Sequence, residues 1–370
     1  MKHDTKKKKV IFSTYDDTNN PFYGGGGARA IDEIATRLVD YFDIEVITGN
    51  YPGAKNLIRN RISYKRIGPA FPGTKWGNLF FHFFLPFYVM REQYDVWVES
   101  FTPPFSTSCL QLFTRKPVVG LAHMLSGEDM QRKYTLKLPF HWIENQGLKT
   151  YKHIIVLTEH VKNKIRVQNK NAIITIISNG IISPDYVSSS TKKQRYILYI
   201  GRLENNQKGL DLLIDAYATI VNKTDAKLII AGSGTKQELA CLKSQIKAHK
   251  LEERVKLIGR IEGKKKETLL QNASVIVSPS RFETFGMVAL EAMAYGKPFV
   301  YFGIEGYSWI PASFGSSVDP FSSSEFGNAV LNFLENKTLR LKMSQAAKQI
   351  VKQYSWDSIV PQYTKLITSL

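Results

Sequence analysis

The chain has 370 residues, 43% of them hydrophobic and 12% aromatic, which excludes a disordered protein and allows substantial hydrophobic cores. This length is large for a single core and favours two domains. The formal net charge of +18 favours phosphorylated ligands and anionic surfaces, whether lipid or nucleic acid, as partners.

Cysteine use and the N-terminus predict a cytoplasmic protein. Cys109 and Cys241 are far apart in the chain and have no metal-ligand spacing, so we expect two reduced core residues. The basic residues 1–9 precede a strand and a polar loop rather than the apolar core of a signal peptide. The longest apolar run, 79–90, is too short to span a bilayer, which leaves a peripheral membrane association open.

The first half of the chain alternates short buried strands with helical or polar stretches. The predicted strands are apolar and often β-branched: 9–13, 44–48, 95–99, 117–121, 154–157 and 172–177. Between the first two, four glycines at 24–27 precede an amphipathic helix with Ile31, Ile34 and Leu38 on one face. Such a glycine run is either a flexible connector or a place where the backbone approaches an anion or a sugar.

Residues 55–90 combine basic and aromatic side chains. The cations come first, at Lys55, Arg59, Arg61, Lys65 and Arg66, and an aromatic run follows from Trp76 to Tyr88. Pro86 would kink a helix unless it falls in the first turn. The aromatics are either core of the first domain or a surface in the lipid headgroup layer, with Lys and Arg against anionic lipid.

The second half repeats strand and helix regularly after a turn at 178–180 and a polar linker at 181–194. Predicted strands are 196–200, 227–231, 255–258, 274–278 and 299–302. Predicted helices are 209–221, 236–249, 264–272, 286–295, 324–334, 339–354 and 356–370. This alternation predicts a doubly wound parallel sheet.

The stretch 278–298 carries the most specific pattern. A β-branched run is followed by a polar loop with Glu283, and a helix-forming run begins near Met287 and stops before Gly296. Glu283 therefore lies at a strand's carboxyl end and Glu291 a little over one turn into the helix, where ligands of open α/β sheets bind. Carboxylates accept paired hydrogen bonds from sugar hydroxyls, and the helix N-terminus attracts phosphate. The alternative is an ordinary helix start with favourable acidic residues.

This stretch resembles the signature of the retaining family-4 glycosyltransferases. The match includes Pro279-Ser280, Phe285-Gly286 and the Leu-Glu-Ala-Met-Ala of 290–294. It is close over roughly 195–300, looser over 1–180 and weak over 303–320, where the family usually carries a Gly-Gly and a Glu. The resemblance implies the α/β GT-B fold, in which two Rossmann-like doubly wound domains face each other across a cleft.

The resemblance also implies how the chain is divided. Residues 1–180 would form an N-terminal acceptor-binding domain, and 181–194 the linker. Residues 195–354 would form a C-terminal nucleotide-sugar-binding domain, and the helix 355–370 would cross back to the first domain.

Two cations, Arg202 and Lys208, lie beside glycines on one predicted strand-end loop and suit a diphosphate. In the family such a pair neutralises the leaving nucleoside diphosphate, and the residues that match Glu291 and Glu283 hold the ribose hydroxyls and the donor sugar. The resemblance assigns further donor contacts to Gly232, Arg260, Ile261, Phe285, Gly286, Met287 and Val288.

In the first domain the resemblance points to a glycine loop near the diphosphate or acceptor, formed by Gly25, Gly26 and Gly27. It also points to His123 near the transferred sugar, although His123 equally fits a satisfied core histidine. The implied catalytic set is Glu283, His123, Arg202 and Lys208. No covalent nucleophile is assigned, because the family is thought to use the departing phosphate as the base.

We therefore expect retaining, metal-independent transfer of a hexose-type sugar from a nucleotide diphosphate sugar to a glycan or lipid-linked acceptor. The sequence has no Asp-x-Asp and no His, Cys, Asp or Glu cluster with metal-ligand spacing. Arg202, Lys208 and the helix end at Met287 would supply the counter-charge without a cofactor.

Other activities compete with this interpretation. Within enzymes the alternative is a GT-B epimerase or phosphorylase, although a phosphorylase needs a Schiff-base lysine and the sequence marks none. From another class, the alternative is a basic nucleic-acid-binding protein. That protein would show salt-sensitive retention on DNA and no stabilisation by nucleotide sugars.

Overall fold

The computed structural model describes residues 7–20, 25–71, 75–133, 139–184 and 195–370. Gly24 and residues 185–194 of the predicted linker lie outside this set. The chain divides into two units, Met1–Gly180 with Trp356–Leu370, and Ile181–Ser355. Each unit has its own β-sheet and its own hydrophobic core.

The first unit is built on an eight-stranded sheet. Its strands are β1 Lys9–Thr14, β2 Asp43–Gly49, β3 Leu57–Arg59, β4 Ile62–Ile67, β5 Val96–Ser100, β6 Val118–Ala122, β7 His153–Val156 and β8 Ile173–Ile176. The spatial order is β3-β4-β2-β1-β5-β6-β7-β8, and the pairing is parallel except between β3 and β4. The order reverses between β1 and β5, which makes this point a topological switch.

Helices bury both faces of this sheet. They are α1 Gly26–Leu38, α2 Lys75–Arg91, α3 Gly127–Lys133, α4 Phe140–Leu148 and α5 Glu159–Gln168, with a 3-10 helix at Leu110–Phe113. Ile31 and Leu38 of α1 join the cluster on one face, and Phe81 and Leu85 of α2 join the cluster on the other. A parallel sheet needs this double cover because its strands are apolar on both faces.

The stretch 55–90 differs in two ways from the sequence-based expectation. Strand β4 lies in the basic part of this stretch. Its Ile62 and Tyr64 are buried, whereas the neighbouring Ser63 and Lys65 are only partly buried. Pro86 lies inside α2 rather than in its first turn. Proline cannot donate a backbone hydrogen bond within the helix, and α2 packs on the core through Phe81, Leu85 and Val89.

The second unit contains a six-stranded sheet with parallel pairing throughout. Its strands are β9 Tyr196–Ile200, β10 Lys227–Ala231, β11 Val255–Leu257, β12 Val275–Ser278, β13 Phe299–Phe302 and β14 Ser316–Val318. The spatial order β11-β10-β9-β12-β13-β14 is the 3-2-1-4-5-6 order of the Rossmann fold. The predicted doubly wound sheet is confirmed, and β14 is a short edge strand that was not predicted.

Apart from the short helix Asn205–Lys208, which lies in the predicted loop and was not predicted as a helix, the helices of the second unit follow the predicted positions closely. They are α6 Asn205–Lys208, α7 Leu210–Ile220, α8 Lys236–Ala248, α9 Gly263–Asn272, α10 Met287–Ala294, α11 Ser323–Glu335 and α12 Lys337–Ile350. Helix α8 begins with a capping box, in which Thr235 and Glu238 each accept a hydrogen bond from the other's backbone N–H. Cys241 is exposed on α8, so the prediction of a buried cysteine was wrong there.

The last helix, α13 Trp356–Ser369, belongs to the first unit. Its residues Trp356, Ile359 and Tyr363 pack in the same cluster as the apolar face of α1. Gly180 lies against it so closely that an added Cβ would be 2.4 Å from the Trp356 ring. The helix is therefore part of that unit's core.

Candidate functional site

The sheet of the second unit has its switch point between β9 and β12. Ligands of open α/β sheets bind beyond the carboxyl ends of the strands at such a point. Two loops leave the strands here, 201–209 after β9 and 279–286 after β12. They carry Arg202, Lys208 and Glu283, which the sequence had marked as candidate site residues.

Direct contacts hold these two loops together. Arg281 forms a bidentate ion pair with Asp211, with nitrogen–oxygen distances of 2.7 and 2.6 Å, and donates to the carbonyl of Asn205 at 2.7 Å. Gly209 has a φ of +62°, and an added Cβ would lie 2.0 Å from the carbonyl oxygen of Pro279. Any side chain at Gly209 would push the loops apart, so glycine is required there.

The two cations of the first loop have different surroundings. Lys208 ends the short helix α6; its side chain is 17% exposed and its ammonium pairs with Glu283. Arg202 has a side chain that is 54% exposed, donates to Gln207 Oε1 at 2.5 Å and lies 3.4 Å from the Glu204 carboxylate. The position of Lys208 is therefore more tightly fixed than that of Arg202.

Glu283 is nearly buried beside these cations, with a side chain that is 9% exposed. Its Oε1 accepts from Lys208 Nζ and from Ser280 Oγ, the latter at 2.9 Å. A carboxylate offers about four acceptor positions over its two oxygens. Glu283 can therefore keep both contacts and still accept hydrogen bonds from a polyol.

Helix α10 begins directly after this loop. Its N-cap is Gly286, and no side chain caps it, so the N–H groups of Met287 and Val288 can bind an anion. The Phe285 ring is buried and stacks on Trp309 with centroids 4.4 Å apart, and the Trp309 indole donates to the Phe285 carbonyl at 2.7 Å. The ring of Phe285 thus supports the loop from inside and does not face solvent.

Glu291 lies in the second turn of α10 and is also ion-paired. Lys266 of α9 donates to its Oε1 at 2.5 Å, and the two side chains are 17% and 16% exposed. Each of the two carboxylates marked by the sequence therefore has its own lysine.

The remaining predicted donor contacts lie on neighbouring strand ends. Gly232 follows β10, and an added Cβ there would lie 1.8 Å from the Gly201 carbonyl oxygen, so the two loops touch through their backbones. Arg260 and Ile261 follow β11; the Arg260 guanidinium pairs at 2.8 Å with Glu262 on the surface, and Ile261 is buried. A ligand beside Ile261 would meet mainly backbone.

In the first unit, a second group of candidate residues lies at the carboxyl ends of the strands near the switch point between β1 and β5. Gly25 is the N-cap of α1 and is not joined by a capping side chain. Cβ atoms added at Gly25 and Gly27 would lie 3.6 and 3.8 Å from Asp16 Oδ2, and the one at Gly27 would also lie 3.8 Å from His123 Nδ1. His123 Nδ1 lies 3.1 Å from Ser100 Oγ. Burial lowers the pKa of His123 to about 4, so its ring is neutral at pH 7.

The residues marked by the sequence thus fall into one group in each unit. Sequence reasoning gave no role to Asp16, Lys266, Arg281, Tyr307 or Trp309. Asp16 lies two residues after the end of β1 and its position gave a usable signal, whereas the others contact residues 24 to 70 positions away. Across the part of the chain that the structure describes, no three His, Cys, Asp or Glu side chains are grouped to hold a metal ion.

Two family models match this chain. The model of Glycosyltransferase Family 4 matches residues 24–182, and that of Glycosyl transferases group 1 matches residues 186–350.

Curated proteins match about half of the chain. An uncharacterized glycosyltransferase from Methanocaldococcus jannaschii is 34% identical over 175 residues, which are 46% of this chain and 43% of that protein. A phosphatidyl-myo-inositol mannosyltransferase from Mycobacterium leprae is 28% identical over 200 residues, 51% of this chain and 52% of that protein. The chain thus spans about half the length of these curated relatives.

Solved structures match nearly the whole chain. Sucrose-phosphate synthase from Thermosynechococcus elongatus has a TM-score of 0.84 at 18% identity, over 98% of this chain and 99% of that one. The Anabaena protein HepE, solved with UDP and glucose, has a TM-score of 0.77 at 20% identity, over 98% of this chain and 100% of that one. Together with the two family models, this likeness in fold leads to one conclusion: the chain belongs to the family-4 glycosyltransferases and has the GT-B fold.

Proposed function

We propose that this protein transfers a hexose-type sugar from a nucleoside diphosphate to a glycan or lipid-linked acceptor, with retention of configuration and without a metal ion. The observation that carries the proposal is the meeting of two strand-end loops at the β9–β12 switch point, where cations, carboxylates and an uncapped helix start converge. The UDP and glucose in the HepE structure support a nucleotide-sugar donor.

Each part of the site has a role in this proposal. Lys208, Arg202 and the N-terminus of α10 bind the diphosphate, whose negative charge grows as its bond to the sugar breaks. Fixed positive charge therefore stabilises the transition state more than the bound donor. Glu291 accepts hydrogen bonds from the ribose hydroxyls and Glu283 from the sugar hydroxyls.

The chemical step needs no covalent nucleophile from the protein. The bond between the anomeric carbon and the β-phosphate oxygen breaks, and the acceptor oxygen bonds to the anomeric carbon on the same face. The acceptor proton passes to the departing phosphate. In the first unit we assign the glycine loop and the neutral His123 to the sugar and acceptor side.

The donor class is tested by thermal unfolding with UDP, GDP, ADP and a sugar nucleotide of each. A ligand at 100 times its dissociation constant should add about 2.7 kcal/mol to the free energy of unfolding. We expect one base to stabilise the protein clearly more than the other two. If none raises the unfolding temperature and DNA binds in a salt-sensitive manner, the glycosyltransferase proposal fails and nucleic-acid binding replaces it.

The stereochemistry and the metal requirement are tested with the donor found in this way. NMR of the product should show the anomeric configuration of the donor, and the initial rate should survive EDTA. Formation of the opposite anomer would exclude retention. Activity that EDTA abolishes and Mg²⁺ or Mn²⁺ restores would exclude the metal-independent mechanism.

Helix α2 of the first unit is apolar on two faces. Phe81, Leu85 and Val89 are buried in the core, whereas a second row is exposed along the helix: Trp76, Leu79, Phe83, Phe87 and Met90. The adjacent 3-10 helix adds exposed Leu112 and Phe113. The stretch 55–90 is therefore partly core and partly surface, and no helix that the structure describes is long and apolar enough to cross a bilayer.

The basic side chains of this stretch mostly serve the fold. Lys65 pairs with Glu45 and Glu92 at 2.9 and 3.0 Å, and Arg66, with a side chain 3% exposed, pairs with Asp17 at 2.5 Å. We therefore propose that the exposed row of α2 enters the headgroup layer, and that the overall charge of +18 attracts the protein to anionic lipid.

We expect salt-sensitive flotation with anionic vesicles that Trp76→Ser/Phe83→Ser/Phe87→Ser abolishes. Binding of this kind depends on the apolar area buried at the interface and on attraction to anionic lipid, and salt screens that attraction. The matched control is Val167→Ser/Leu341→Ser, which removes two exposed apolar side chains from α5 and α12. A wild-type protein that stays in the soluble fraction at low salt would exclude the membrane acceptor.

A further inference from the structure

The loop 303–311 after β13 lies in the part of the chain that resembles the family least. Its 3-10 helix Glu305–Tyr307 puts the buried ring of Tyr307 beneath Gly286, where an added Cβ would lie 2.2 Å from that ring. A Cβ added at Gly306 would lie 2.0 Å from the Glu283 carbonyl oxygen. The loop therefore packs directly against the segment that carries Glu283.

A chain of buried hydroxyl groups links Tyr307 to the Glu283 carboxylate. The Tyr307 hydroxyl lies 2.5 Å from Ser278 Oγ, which lies 3.2 Å from Ser280 Oγ. Ser280 in turn donates to Glu283 Oε1 at 2.9 Å. Ser278 and Ser280 are 3% and 0% exposed, so water does not compete for these contacts.

The donor-to-acceptor direction of this series of hydrogen bonds follows from the group at its end, the Glu283 carboxylate. An ionised carboxylate only accepts hydrogen bonds, so the Ser280 hydroxyl donates its proton to the hydrogen bond with Glu283. Ser278 must then donate to Ser280, and Tyr307 must donate to Ser278. Burial, and in second place the Glu283 charge, raise the pKa of Tyr307 well above its usual value, so its proton is present at neutral pH.

We propose that Tyr307 is a positioning residue for Glu283, which it acts on through Ser278 and Ser280. The inference rests on the proposed function, in which Glu283 accepts hydrogen bonds from the donor sugar. Aligned hydroxyls in a dry environment polarise one another and strengthen the last hydrogen bond of the chain. Lys208 alone would hold the carboxylate less specifically, because the three donors of an ammonium rotate and do not select one orientation of the carboxylate.

The test is Tyr307→Phe, which keeps the ring and removes the first donor. We expect kcat with saturating donor to fall about 2- to 10-fold, the effect of one lost hydrogen bond. The dissociation constant of the free nucleoside diphosphate should not change. The thermal-unfolding comparison of UDP, GDP and ADP identifies which nucleotide to use. Ser278→Ala interrupts the chain without touching an aromatic ring and should have the same effect.

The decisive measurement is a double-mutant cycle with Ser280→Ala. If Tyr307 acts through Ser280, Tyr307→Phe should have no further effect on kcat in the Ser280→Ala background. Effects that multiply would show an independent, merely structural contribution and would overturn the proposal. The cycle can be closed with Ser278→Ala in place of Tyr307→Phe if the latter does not fold.

The matched control is Tyr301→Phe. Tyr301 lies on β13 with its ring 5.2 Å from that of Tyr307, but its hydroxyl interacts with Ser317 and is not one of the hydroxyl groups that link Tyr307 to Glu283. It should leave kcat unchanged. Wild-type protein that transfers no sugar from any nucleotide donor would sink the proposed function. If the wild-type protein transfers sugar but Tyr307→Phe and Ser278→Ala have the same kcat as Tyr301→Phe, only the positioning role is excluded.

Discussion

Replacing Lys208 by Ala is expected to lower kcat by about 10²–10³, the usual loss for one preorganised group that stabilises developing charge. Lys208 ends α6, Gly209 behind it packs against the Pro279 carbonyl, and the ammonium pairs with Glu283, so the charge is positioned before reaction. Arg202→Ala should act in the same direction and toward the lower end of this range. Its side chain is 54% exposed, so solvent screens its charge more strongly.

The matched control for these variants is Lys243→Ala, which removes an exposed lysine from α8. It should leave kcat unchanged. Since Lys208→Ala also removes the partner of Glu283, Lys208→Arg serves as a second comparison and should recover part of the loss. Steady-state kinetics with saturating donor decides the matter. Near-native turnover in both folded Ala variants would refute the assignment of these cations to the diphosphate.

The two carboxylates should give different phenotypes. Glu291→Ala is expected to weaken binding of the free nucleoside diphosphate by about 1.5–3 kcal/mol, the range for hydrogen bonds to a charged group. Glu283→Ala should leave that affinity nearly unchanged and lower kcat, because only the sugar would touch it. Titration calorimetry with the nucleoside diphosphate and kinetics with the sugar nucleotide separate the two effects.

The ion pairs of the structure make isosteric variants informative here. Glu291→Gln and Glu283→Gln keep the shape of the side chains next to Lys266 and Lys208 but remove the negative charge. They should show the same split as the Ala variants at smaller size. Glu252→Ala, at an exposed position, is the control. If Glu283 variants lost nucleotide affinity and Glu291 variants lost only turnover, the ribose and sugar positions would be interchanged.

Much of the second unit could be predicted because its pattern is local. Strands β9, β10 and β13 begin and end where the sequence predicted, since continuous apolar runs of that length are typical of buried parallel strands. Helix α10 ends before Gly296 as expected. The position of Glu283 after β12 then followed from the order of elements alone.

The first unit was harder to predict because its surface elements depend on their neighbours. Strand β4 contains Lys65 and Arg66, and a basic hexapeptide with only three buried residues, Ile62, Tyr64 and Ile67, is a weak strand signal. It is a strand because β2 lies next to it and because Glu45 and Asp17 neutralise these two cations. Helix α2 could likewise be called apolar from sequence, but which side faces solvent depends on the sheet beneath it.

The sequence by itself determined the family, the Rossmann-like alternation and the placement of Arg202, Lys208 and Glu283 at strand ends, because apolar periodicity and turn residues are local in the chain. Tertiary structure alone decided the partners of these side chains. Lys208 meets Glu283 across 75 positions, Lys266 meets Glu291 across 25, and Tyr307 meets Ser278 across 29. A hydrophobic period records that a residue is buried but not what it is buried against, and such contacts form only when the strands have taken their order in the sheet.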